Sequence, residues 1–220
     1  MIILALGEWG LAFGIGIVLL LFLAVGWVIV QGTRAQLYWR KRVDEGDVEA
    51  ITALVTEEIA RWKMARVPKG ADPDAWRGVQ SAELVSATPD GIRLSATAEG
   101  TFAMAGGERR EVRGALQQAM AVTAKLADMA FYDIPNVRLP YVQVDVYSTF
   151  RDELGTAQRC VLSTLCTREI ADALDWDEMS GEEVVRAFGG RYLLDDRGNP
   201  LPIDPDATAR SGVPAAFYRD

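Results

Sequence analysis

Between Trp9 and Thr33 the chain carries no charged residue, and this run constrains the fold more than any other feature. Its core is Trp-Gly-Leu-Ala-Phe-Gly-Ile-Gly-Ile-Val-Leu-Leu-Leu-Phe-Leu-Ala-Val-Gly-Trp-Val-Ile-Val, from Trp9 to Val30. As a helix rising about 1.5 Å per residue it spans roughly 33 Å, enough to cross a hydrocarbon layer of about 30 Å. A helix apolar on every face does not suit the core of a small domain. A cleaved signal peptide fits poorly, because no Lys or Arg precedes the run, the run is too long, and no small-x-small cleavage site follows it. The spacing predicts a single transmembrane helix within residues 1–33.

The flanks supply orientation. Trp9 and Trp27 lie towards the two ends, and Tyr38 and Trp39 follow, in keeping with an interfacial aromatic belt. Only Glu8 precedes the run, whereas Arg34, Arg40, Lys41 and Arg42 follow it. The positive-inside rule therefore places the C-terminal side in the cytoplasm and a short N-terminus outside a cell membrane. The four cations also sit at the depth of anionic headgroups, so membrane lipid is the first expected partner. Gly10 and Gly14 form a GxxxG pair, widened by Gly7 and by Ala12 with Gly16. Small residues let helices approach closely in lipid, which marks a packing face for other membrane subunits or for a second copy.

The whole chain has 23 Lys and Arg, 31 Asp and Glu, and no histidine. With the four collar cations and Glu8 set aside, residues 43–220 carry a net charge of about −11. Such a domain repels phosphate backbones, which argues against nucleic-acid binding. The missing histidine removes Ser-His and Cys-His nucleophile pairs and histidine metal sites.

Residues 34–66 read as the basic collar and an amphipathic stem helix. Asp47 caps it, and Val48, Ile51, Leu54, Val55, Ile59 and Trp62 recur at helical spacing. Residues 67–195 read as an α+β domain. Val67 to Ala75, with Pro68, Gly70 and Pro73, is a loop. Glu83–Thr88 and the strand from Ile92 flank Pro89-Asp90-Gly91 as a hairpin, with an extension through Phe102 and Met104 to Gly106-Gly107. Glu111 to Phe131 reads as a helix with Val112, Leu116, Ala119, Met120, Thr123, Leu126, Ala127 and Ala130 on its apolar stripe, stopped by Pro135. A second hairpin runs from Tyr141 through the turn at Asp152–Gly155 to Arg159–Cys166. Thr167 caps a short helix to Leu174, Ser180-Gly-Glu-Glu183 is a capping box, and a strand follows at Arg191–Leu194. The expected architecture is α+β: a mainly antiparallel sheet of two ββα-like units, with helices packed on one face. Residues 196–220 read as an extended, proline-containing tail. Its apolar pairs, Leu201 with Ile203 and Phe217 with Tyr218, suit a clamp on a neighbour or on the domain itself.

Chemistry is sparse. Asp172, Asp175, Asp177, Glu178, Glu182 and Glu183 cluster, but their spacing lacks the EF-hand pattern and suits solvated helix ends. Asp133, Asp145 and Asp152 lie near strand ends without a recognisable constellation, and Ser148 and Ser163 lack a histidine to activate them. Cys160 and Cys166, six apart in one strand, fall on one face about 20 Å apart, too far to bridge. No catalytic residue, metal set or cofactor site is assigned. Tyr141, Gln143, Asp145 and Tyr147 share one face of a strand and make a mixed aromatic and polar protein-binding surface if that face is open. The resulting expectation is a non-catalytic, membrane-anchored accessory or scaffold subunit. The alternatives are a tethered carboxylate- and metal-dependent enzyme or a small-ligand sensor.

Overall fold

The structure is a computed structural model. It describes the backbone of residues 2–105, 108–152 and 155–206; side chains are described over the same ranges except at 2–15, 35–36, 103, 105, 108–110 and 152. The chain divides into two compact units, Met1–Glu45 and Gly46–Asp220.

The first unit is one helix, α1 (Ile2–Asp44), with no break at residue 33. It is long and apolar enough to cross a membrane, and none of its apolar window is buried. A signal sequence near an N-terminus meets the same criteria of length and composition. Trp27 is 66 % exposed. In the collar, Lys41 pairs with Glu45 at 3.7 Å, the Arg42 guanidinium lies 5.9 Å from the centre of the Tyr38 ring, and Tyr38 meets Trp39 edge-on.

The second unit is α+β. Asp47 accepts from the Ala50 amide and starts α2 (Val48–Met64), whose buried face carries Ile51, Val55, Ile59 and Trp62. The expected loop ends earlier than its prolines imply. Asp72 caps, and Pro73 opens, α3 (Pro73–Gln80), because the first helical turn needs no donor from proline. Hairpin β1 (Glu83–Thr88) and β2 (Gly91–Thr97) follows.

The chain then departs from the sequence reading. Thr101–Ala105 and Glu108–Arg113 pair as a separate antiparallel arm, β3 and β4. The helix α4 starts only at Ala115 and ends at Tyr132. Gly114 breaks a helix-competent run, and β pairing with Phe102 and Met104 claims Glu108–Arg113. Val112, expected on the apolar stripe, is consequently exposed.

Hairpin β5 (Tyr141–Asp152) and β6 (Gly155–Thr167) completes a four-stranded sheet in the order β1-β2-β5-β6. The two hairpins are antiparallel internally, and the central pair β2–β5 is parallel. Ile92, Leu94, Ala96, Val142, Val144 and Val146 point to one face and are buried; α4 packs against β5 and β6 there. Thr167 caps a helix of one turn, α5 (Arg168–Ala171), shorter than expected, and Ser180 and Glu183 form the expected capping box of α6 (Gly181–Ala187).

The two cysteines do not share a face. Cys166 pairs with Val142 on the helix side, but the register shifts between Val146 and Tyr147, and Cys160 pairs with Tyr147 on the other side. A β-bulge inserts one residue, here Val161, and resets the alternation. Both thiols are free and buried.

After α6 the chain returns to the edge of β6. Arg191 and Ser163 exchange both backbone hydrogen bonds, at 2.9 and 3.0 Å, and the Ile203 amide donates to the Cys160 carbonyl at 2.9 Å. Between them β7 (Leu193–Leu194) and β8 (Pro200–Leu201) make a short antiparallel pair. The tail through Asp206 is thus an ordered strap on its own domain. Phe217 and Tyr218, the other half of the expected clamp, lie outside the described residues.

Candidate functional site

The face of the sheet away from α4 is polar because alternation puts Arg93 and Ser95 of β2, Gln143 and Asp145 of β5, and Ser163 of β6 on it. Asp145 collects donors from three directions. Arg93 Nε donates to Oδ2 at 2.6 Å, Ser163 Oγ to Oδ1 at 2.6 Å, and Gln143 Nε2 to Oδ1 at 3.1 Å. Arg93 also pairs through Nη1 with Asp206 of the strap at 2.6 Å. Burial opposes the Arg93 charge, but Asp145 and Asp206 override it and hold the guanidinium above its ordinary pKa.

Of the four residues expected to form an open recognition surface, Gln143 and Asp145 are each only 1 % exposed, and Tyr141 and Tyr147 are half-buried. The expected open surface is therefore absent at its centre. The ion pair with Arg93 and the strap's return to it make this network internal. Burial, then the neighbouring Asp145, raises the Tyr147 hydroxyl pKa. Burial, again with Asp145 behind it, pushes the Cys160 thiol up to about 12. Neither group is primed as a nucleophile or base at neutral pH. Arg93 and Asp206 escaped the sequence reading. The alternation in Ile92-Arg-Leu-Ser placed Arg93 on the polar face, but nothing local announced the parallel register that sets it beside Asp145.

The other acidic candidates are dispersed. Asp172 accepts from the Tyr132 hydroxyl at 3.0 Å, Glu182 pairs with Arg186, and hydrogen bonds from Ser180 hold Glu183 below its usual carboxylate range. Burial, then the nearby Asp128, raises Asp133. Ser148 donates to Glu99 at 3.2 Å. No group of three or more His, Cys, Asp or Glu among the described residues could hold a metal ion. The side chain of Asp152 lies outside the described set.

Among the concave surfaces of the described residues, two lie beside the arm and beside α2. One, of about 550 Å³, lies between the arm and the body, with Phe102 and Met104 on one wall and Asp74, Arg77 and Thr97–Thr101 on the other. Its floor is fixed: Thr101 Oγ1 donates to Asp74 at 2.5 Å and accepts from the buried Gln118 at 3.0 Å. Met104 is 72 % exposed and Phe102 45 %. The second, of about 580 Å³, runs between α2 and β1 and is lined by Thr52, Thr56, Ile59, Ala60 and Lys63 and by Glu83–Ala87.

In α1, Gly7, Trp9, Gly10 and Gly14 lie where side chains are not described. A Cβ added at Gly16 meets nothing within 4 Å. Arg34, Arg40, Lys41 and Tyr38 are exposed, whereas Trp39 and Arg42 are half-buried. No protein-family model, no curated protein and no solved structure matches the chain.

Proposed function

We propose that the protein is a single-pass, membrane-anchored accessory or scaffold subunit whose acidic α+β domain faces the cytoplasm and binds other proteins without catalysis. The reading is carried by the arm β3–β4. Soluble domains normally hide large apolar side chains grouped on a two-stranded ribbon, and here Phe102, Met104 and Val112 are all exposed. The uncovered apolar helix and the collar of Arg34, Arg40, Lys41 and Arg42 support the membrane assignment. The polar cluster most like an active site is saturated by its own neighbours, which supports binding over chemistry.

The test places a photoreactive residue at Met104 of the full chain in its native membrane. Discrete protein adducts that disappear in Phe102→Asp are expected, together with protection of a Lys69→Cys thiol from an impermeant reagent until the membrane is opened. Adducts to lipid alone, or labelling in intact cells, would overturn the proposal.

A further inference from the structure

The turn from α6 into the strap is set by two glycines. Gly189 sits at φ +68°, and a Cβ on Gly190 would collide with Val185 and Thr164. Arg191 follows at once. Its backbone is paired to Ser163 of β6, and its side chain crosses to the returning limb of the strap, where Nη2 donates to the Asp204 carbonyl at 2.7 Å. The guanidinium is otherwise incompletely paired: Nε is enclosed and meets no acceptor among the described residues. Arg93 and Arg168, the other half-buried arginines described in this unit, each hold a carboxylate, Asp145 with Asp206 and Asp172 respectively. Arg191 has only a neutral carbonyl. An enclosed donor without an acceptor costs free energy that a bound anion recovers.

Arg191 also lines a concave surface of about 590 Å³, with Tyr192, Leu193, Pro202, Ile203 and Asp204. Small-molecule sites pair mostly apolar walls with a few placed polar groups, at volumes of roughly 300–1,000 Å³. We propose that this pocket binds a small monocarboxylic acid with an aromatic or aliphatic body. Its carboxylate sits on the Arg191 guanidinium, whose planar fork matches it, and its body lies against Tyr192, Leu193, Pro202 and Ile203. Charge limits the ligand to one carboxylate. Asp204 stands on the same rim, its own carboxylate accepting from the Asp206 amide at 2.9 Å, and residues 43–220 are strongly acidic, so a phosphate or dicarboxylate meets repulsion. The walls come from the two limbs of the strap, Arg191–Leu193 and Pro202–Asp204, and a bound acid ties the limbs together on the β6 edge. The site is separate from the arm on which the protein-binding reading rests.

The test uses the full chain in mild detergent, with hexanoate, benzoate and phenylacetate as probes, titrated by calorimetry against matched detergent. At least one acid is expected to bind with a Kd below about 1 mM, and its neutral amide about tenfold more weakly or worse. Arg191→Gln, which keeps the backbone pairing with Ser163, is expected to weaken the acid by about tenfold or more. Leu193→Ser, at an exposed position that the fold tolerates, is expected to weaken acid and amide alike. The bound acid is also expected to slow hydrogen exchange of the Tyr192–Leu194 amides while β1 is unchanged. No heat from any of the three acids, equal affinity for acid and amide, or affinity unchanged in Arg191→Gln, the mark of simple partition into the micelle, would overturn the proposal.

Discussion

Replacing Asp145 with Asn preserves shape and removes charge at a buried polar site, 1 % exposed. All three partners of Asp145, namely Arg93 Nε, Ser163 Oγ and Gln143 Nε2, arrive as donors. A carboxylate accepts them all, whereas an amide offers one accepting oxygen and presents two donors of its own. Arg93, whose side chain is 13 % exposed, keeps only Asp206, which is 63 % exposed and too solvated to compensate. Breaking a buried pair of this kind costs about 3–5 kcal/mol, which for a domain of this size lowers Tm by roughly 6–20 °C. Near-UV circular dichroism followed on heating measures it. The paired change Arg93→Met with Asp145→Leu removes both charges at similar volume, and stability is expected to return to within about 1 kcal/mol of the parent. A loss below about 1 kcal/mol for Asp145→Asn, or a double variant as unstable as the single one, would refute the reasoning.

Two further outcomes follow from packing and burial. Gly181 opens α6, where helix propensity alone favours alanine by roughly 0.5–1 kcal/mol. Its Cβ, however, would lie 2.8 Å from the backbone N and Cα of Ala121, so Gly181→Ala is expected to cost about 1–3 kcal/mol; a thermal melt reads the sign directly. Burial holds the Cys160 thiol at about 12 against an ordinary 9.0 and raises Cys166 as well. The unfolded thiols ionise first, so this stabilisation is complete below about pH 9 and is lost as pH climbs towards the folded values, by about 1.4 kcal/mol per thiol per pH unit. Melting points at pH 8, 9 and 10 are expected to fall more steeply in the parent than in Cys160→Ala/Cys166→Ala.

Elements governed by local chemistry were legible. The Asp47 cap, the turn at Pro89-Asp90, the Ser180 capping box and the strict alternation of Tyr141–Tyr147 each contain their own instruction. The arm was misread because Glu-Arg-Arg-Glu-Val-Arg has no strand pattern of its own; its pairing with Thr101–Ala105 decides it. The bulge at Val161 left no trace in composition, yet it moved Cys160 to the opposite face. The same limit hid the Asp145 network, since Arg93 and Asp145 lie 52 residues apart and meet only through parallel register. The strap's apolar pair, Leu201 with Ile203, was visible, but its destination on β6 was not.

The parallel seam between β2 and β5 also orders the assembly of the domain. Each hairpin closes over a few residues and forms early, on the microsecond scale of local pairing. The seam joins strands separated in sequence by the arm and α4, so the loop-closure entropy of the intervening chain falls on that one step. Arg93 and Asp145 meet only across this seam, and Asp206 joins them from the strap. Docking of the two hairpins is therefore the step expected to limit folding of this domain.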